Sequence, residues 1–160
     1  MTEQINKKIL LILLIIISST LAFAYLIEHK LGHQPCRLCV YQRIPYILAI
    51  LLIAEIFFVK RYEKITLLIL CIVFLFSAIL AFYHFGIEQG FFKEFLACAT
   101  ENPSETLSKE QLLEQLKQNA ISCKNVNFKI LGVSLAAINT IFSFIVSGIF
   151  LKLFLHYGKN

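Results

Sequence analysis

Long apolar stretches separated by short polar breaks dominate the chain. The first runs over 9–27 and follows Lys7 and Lys8. The second covers roughly 41–59 and closes at Lys60 and Arg61. The third spans 65–85, and the fourth spans 130–151 between Lys129 and Lys152. An α-helix rises about 1.5 Å per residue, so crossing ~30 Å of hydrocarbon takes ~20 residues. Each stretch is close to that length. The pattern predicts an all-α membrane protein, a single integral membrane domain built as a four-transmembrane-helix bundle. The second stretch is the least regular, because Pro45 and Glu55 interrupt it. Pro45 falls in its first turn, where a missing N–H costs little. Glu55 is about one turn from Lys60 and Arg61 and can snorkel toward them. Ala22-Phe23-Ala24 resembles a signal-peptide cleavage site. The apolar run continues past it and is long enough to span.

Four spans put both termini and the 60–64 link on one side, and the loops 28–40 and 86–127 on the other. Seven Lys and Arg residues fall on the first side and eight on the second, so the raw count does not orient the chain. The seven are packed into very short segments beside span ends, as cytoplasmic ends tend to be. The long loop also carries six Glu that offset its lysines. Charge therefore places both termini in the cytoplasm. Within the long loop, Ser108 and Gln111 fit a capping box that starts a short helix near Lys109. Leu112, Leu113 and Leu116 would share one face of it, which suits a helix lying on the membrane surface. The small, polar flanks of that helix have the character of flexible carriers.

Composition agrees with lipid as the solvent. The chain of 160 residues is 58% apolar and has neither Trp nor Asp. Its net charge of +5 is scattered between apolar runs, without the basic stripe that a phosphate backbone requires, and this excludes nucleic acid as a partner.

The cysteines carry the candidate chemistry. Cys36 and Cys39 form a Cys-Arg-Leu-Cys motif just before the second span, and Cys98 and Cys123 bracket the middle of the long loop. With cytoplasmic termini, all four face the outer compartment, where disulfides persist. A Cys-x-x-Cys disulfide closes a very small ring and is more often redox-active than structural. Arg37 and Arg43 are near in sequence, and a neighbouring cation favours the nucleophilic thiolate. Zinc ligands use the same spacing, and Cys98 and Cys123 would complete a four-cysteine site. Four thiolates facing an oxidising compartment tend to oxidise, so the sequence predicts no metal. Two purely structural disulfides remain an alternative, and four cysteines allow three pairings. Cys71, alone inside the third span, reads as a small buried hydrophobe. His84, at the end of that span, reads equally as a proton contact and as an interfacial polar residue. Glu88 reads as a loop residue.

The run Pro35-Cys36-Arg37-Leu38-Cys39-Val40-Tyr41-Gln42-Arg43, followed by Pro45, strongly resembles the first redox motif of the DsbB family. These are bacterial inner-membrane quinone reductases that reoxidise the periplasmic thiol oxidase DsbA. Tyr83-His84-Phe85-Gly86-Ile87-Glu88 resembles the family segment closing the third span, and Cys98 and Cys123 match its second pair in order and approximate spacing. Phe128, Leu131-Gly132-Val133-Ser134-Leu135-Ala136 and Asn139 resemble the start of its fourth span. Ile138 stands where many relatives carry Trp. The resemblance implies that reduced DsbA, a thioredoxin-fold partner, attacks the Cys98–Cys123 disulfide, with Cys98 forming the mixed disulfide. Cys123 then passes the electrons to the Cys36–Cys39 pair, and Cys39 is the thiolate that engages a quinone (ubiquinone or menaquinone) at the membrane surface. Arg43, one turn beyond Cys39 on the same helical face, would hold that quinone, with His84 a candidate proton or quinone contact near the same interface. A relative devoted to one dedicated client would carry the same motifs.

Overall fold

A computed structural model describes residues 7–32, 35–59, 62–93, 129–130 and 132–157. Its elements in chain order are α1 (Lys7–Leu31), α2 (Arg37–Tyr41), α3 (Ile44–Phe58), α4 (Glu63–Glu88), a two-stranded ribbon β1 (Lys129–Ile130) and β2 (Val133–Ser134), and α5 (Leu135–His156). Four segments are long and apolar enough to cross a membrane: α1, α2 with α3, α4 and α5. The chain is therefore an all-α, multi-pass membrane protein. Cys98, Cys123 and the surface helix expected near Lys109 lie outside the described residues, as do Lys60 and Arg61, the expected partners of Glu55.

Helix boundaries depart from the apolar runs for local reasons. The first run gains a turn at its C-terminal end, where Gly32 at φ 68° takes the left-handed conformation that closes a helix. The second run is two helices, not one. Pro45 has no N–H to give the carbonyl of Tyr41, and its ring crowds that position. The chain therefore turns at Gln42 and Arg43 and restarts as α3, with Pro45 in the new first turn. The fourth helix begins at Leu135 instead of 130. Ahead of it, Gly132 turns the ribbon at φ 83°, with Lys129 opposite Ser134 and Ile130 opposite Val133. Ser134 then caps the helix by accepting from the Ala137 N–H at 3.2 Å. The third helix reaches Glu88, which is not a loop residue but the last helical residue of α4.

The core follows from helical spacing. Leu10, Leu13 and Ile17 of α1 meet Ala49, Ile53 and Ile56 of α3, and Leu67, Leu70 and Phe74 of α4 close against Val146 and Phe150 of α5. In lipid there is little hydrophobic drive between helices, so close packing and polar contacts hold the bundle. The antiparallel α4–α5 pair shows both. The Ser77 and Ser143 hydroxyls are 3.1 Å apart, and the Ser147 hydroxyl donates to the Cys71 carbonyl at 3.0 Å. The Phe74 and Phe150 rings stack between them at 5.8 Å. Cys71 is buried in this seam. Most of α1 faces outward, and its ties reach α3 rather than α4.

Candidate functional site

Cys36 precedes α2 and caps it: its sulfur accepts from the Cys39 N–H at 3.3 Å, because an extended backbone at Cys36 turns the side chain back over the first turn. One turn later the Cys39 side chain returns to the same face, and the two sulfurs lie 2.8 Å apart as free thiols. Leu38 anchors the turn by packing with Cys36 against Ile87 of α4. This seating brings the Cys36 sulfur within 3.5 Å of His84 Nε2, although the two residues are 48 positions apart.

His84 is buried and held on both ring nitrogens. Nδ1 lies 2.9 Å from the Gln42 side-chain nitrogen, and the Gln42 oxygen accepts from the Asn139 amide at 2.7 Å. Asn139 in turn accepts from the Tyr46 hydroxyl and, at 3.2 Å, from Ser143. A polar chain thus runs from the sulfur pair through α4, the α2–α3 turn and α5. With Gln42 donating to Nδ1, the imidazole proton sits on Nε2 and points at the Cys36 sulfur. Glu88, one turn beyond His84, places Oε1 3.6 Å from the same Nε2, and its Oε2 is buried without a partner among the described residues.

The Cys36 thiol is pulled down to about 5 from the ordinary 9.0. Hydrogen bonding from the Cys39 thiol is the largest cause. Burial opposes it, and the hydrogen bond from His84 reinforces it. The reduced pair therefore holds one thiolate at neutral pH, shared across the hydrogen bond between its two sulfurs. Among the described residues, Cys36, Cys39 and His84 also present metal-type donors, all within 4.8 Å of one another.

Arg43 is not on a helix continuous with Cys39. Its guanidinium crosses to α1, where it donates to Glu28 at 2.5 Å and lies over the Tyr25 ring at 4.6 Å. On the other side of α3 a groove of about 520 Å³ opens between the two spans, lined by Tyr41, Pro45 and Leu48 opposite Ile72, Phe76 and Leu80. The structure thus assembles Cys36, Cys39 and His84, directs Arg43 to α1, and leaves Cys98 and Cys123 undescribed. Sequence reasoning missed Gln42, Asn139, Tyr46, Glu88 and the α1 pair Glu28 and Tyr25. Two signals were available. Glu88 is i+4 from His84 on a helix that simply continues. Asn139 and Ser143 are polar residues one turn apart inside a span, where polar side chains face the bundle interior.

Comparison with known proteins reaches the same region of protein space. An uncharacterized protein of Rickettsia prowazekii (strain Madrid E) is 33% identical over 156 residues, covering 96% of this chain and 90% of that protein. No solved structure matches the chain. The family described as disulfide bond formation protein DsbB matches residues 6–153, which include the first three spans, the fourth up to residue 153, the dithiol and the His84 beside it. A membrane bundle that seats a vicinal dithiol against a histidine, matched over nearly its whole length, belongs to the DsbB family of disulfide bond formation proteins.

Proposed function

We propose that the chain is a quinone-dependent protein-dithiol oxidase of the bacterial inner membrane, with cytoplasmic termini and both cysteine pairs on the periplasmic side. The observation that carries this reading is the Cys36–Cys39 dithiol, with the Cys36 sulfur 3.5 Å from His84, at the start of a span beside an apolar groove. Its client is a DsbA-like thiol oxidase. A client thiolate attacks the Cys98–Cys123 disulfide, with Cys98 forming the mixed disulfide. The second client thiol then displaces Cys98, leaving the client oxidised and the loop pair reduced. Cys123 passes the two electrons to the Cys36–Cys39 disulfide, and oxidation of that dithiol by quinone yields quinol. Exchange of this kind needs thiolates and accessible sulfurs. Cys39 is the sulfur that meets the quinone.

The residues present fit such a substrate. The groove beside Tyr41 and Pro45 is lined by apolar side chains, as an isoprenoid tail requires. A guanidinium has more N–H donors than Glu28 occupies, so Arg43 retains hydrogen-bonding capacity for a quinone oxygen. His84 Nε2 supplies a proton position beside the reacting sulfurs.

The test follows quinone absorbance with the purified full chain, a short-chain quinone and reduced DsbA. Wild type reduces quinone, and Cys39→Ser and Cys98→Ser do not. Arg43→Met raises KM for quinone about tenfold or more, with a smaller change at saturation. Absence of quinone-dependent oxidation with every thioredoxin-fold client tried, or full activity in Cys98→Ser, overturns the relay in favour of structural disulfides.

A further inference from the structure

The unpartnered oxygen of Glu88 is the feature that the dithiol chemistry leaves unexplained. Its side chain is only 6% exposed, Oε1 leans toward His84, and Oε2 meets no donor among the described residues. A buried carboxylate oxygen without a partner is costly, and a nearby cation is a usual answer. Next to it three donors converge, the Cys36 and Cys39 sulfurs and His84 Nε2, all within 4.8 Å of one another.

We propose that the reduced Cys36–Cys39 pair and His84, with the Glu88 carboxylate beside the imidazole, form a binding site for a thiophilic divalent cation of the zinc class. Two thiolates and an imidazole are a three-donor set that such ions take, with a fourth position left open. The spacing agrees. Tetrahedral zinc separates a sulfur from a nitrogen by about 3.5 Å. Cys36 to His84 is 3.5 Å, and Glu88 lies 3.6 Å from the same ring nitrogen, where its charge favours a cation. The sulfurs, at 2.8 Å, must part by about 1 Å, within reach of a side-chain rotation at the half-buried Cys39. Ligating histidines have their other ring nitrogen held, and Gln42 holds Nδ1 here. Turning the Gln42 and Asn139 amides over together presents oxygen to an Nδ1 proton and keeps the bond between the two amides.

Binding is not a redox step. The cation displaces the one proton that the pair still holds at neutral pH and forms two metal–sulfur bonds. A disulfide offers no thiolate, so the ion binds only the reduced pair. The functional consequence rests on the oxidase reading: the ion holds the pair reduced and arrests turnover. At a free concentration a hundred times Kd, the reduced form is favoured about a hundredfold.

The experiment titrates cobalt(II), a spectroscopic stand-in for zinc, into the purified full chain after reduction and removal of reductant. Thiolate-to-cobalt charge transfer and tetrahedral visible bands should appear at one ion per reduced chain, disappear on adding zinc, and be absent from the oxidised chain. The double variant Cys98→Ser/Cys123→Ser should keep them. Glu88→Gln and His84→Gln, both near-isosteric, should weaken affinity about tenfold or more each. Gel filtration and thiol counts under denaturing conditions identify the folded, reduced variants that enter the comparison. Three results overturn the site: no bands in the reduced wild type, bands lost in the double loop variant, or affinity unchanged in both Glu88→Gln and His84→Gln. Because no quinone or client is present, failure of the oxidase reading leaves this result standing, and an active oxidase without cobalt bands refutes the site alone.

Discussion

Replacing Cys39 with Ala removes the largest force that holds the Cys36 thiol down. In the wild-type reduced pair the midpoint is about 5, so the thiolate is present above that pH and is lost as pH falls through it. Without the Cys39 thiol, burial is opposed by His84 and by the backbone N–H of residue 39, and the midpoint climbs toward 9.0. Thiolate reactivity falls as basicity falls, with a slope of about 0.4–0.5. Over the full span from about 5 to 9.0, each variant thiolate would be roughly forty- to a hundredfold more reactive. At pH 7 the thiolate population would be about a hundredfold lower, so the two effects nearly cancel there. At pH 5 they do not, and wild type should react roughly fifty- to a hundredfold faster. The assay is iodoacetamide modification of Cys36 in the reduced protein, in chelator, followed by peptide mass spectrometry across pH 4–10. A wild-type midpoint near 9, or a Cys39→Ala midpoint at or below that of wild type, refutes the account of this site.

Two further outcomes follow from the packing. Asn139→Leu removes the donor to Gln42 and the acceptor of Tyr46 and Ser143. Interhelical hydrogen bonds in membranes average about 0.6 kcal/mol, so stability in micelles should fall by about 1–2 kcal/mol, and an unchanged unfolding midpoint would deny the network its role. Phe74→Ala empties a fully buried site stacked on Phe150. Lipid tails are as apolar as this core, so the transfer term largely cancels and the cavity term remains. At about 24 cal/mol per Å³, a void of about 100 Å³ costs ~2.4 kcal/mol, measurable by denaturation in mixed micelles.

The spans were legible because lipid leaves so few options: apolar length alone identifies a helix that must satisfy its own backbone. Their ends were less legible. The start of α5 depends on Gly132 and the Ser134 cap, which hydropathy does not register. The break between α2 and α3 depends on a carbonyl of Tyr41 that Pro45 cannot satisfy, and reading 41–59 as one helix placed Arg43 over Cys39. Cys36, Cys39 and His84 were legible as chemistry, since a vicinal dithiol and a histidine are rare in apolar sequence. Their mutual contact was not, because it joins residues 48 positions apart through the seating of Leu38 on Ile87. Glu88 was misread for the opposite reason: helix α4 outlasts its apolar run, and a charged residue looked like the end of it.

Helix α1 gives the protein a mechanical connection to its surroundings. Its 25 residues measure about 37 Å, longer than a ~30 Å hydrocarbon core, so its angle to the bilayer normal answers to membrane thickness. Glu28 and Tyr25 ride near its end and grip the guanidinium of Arg43. A thinner or thicker membrane that tilts α1 therefore pulls on Arg43, and the lipid composition of the bilayer becomes a setting on the residue nearest the turn between the redox helix and its span.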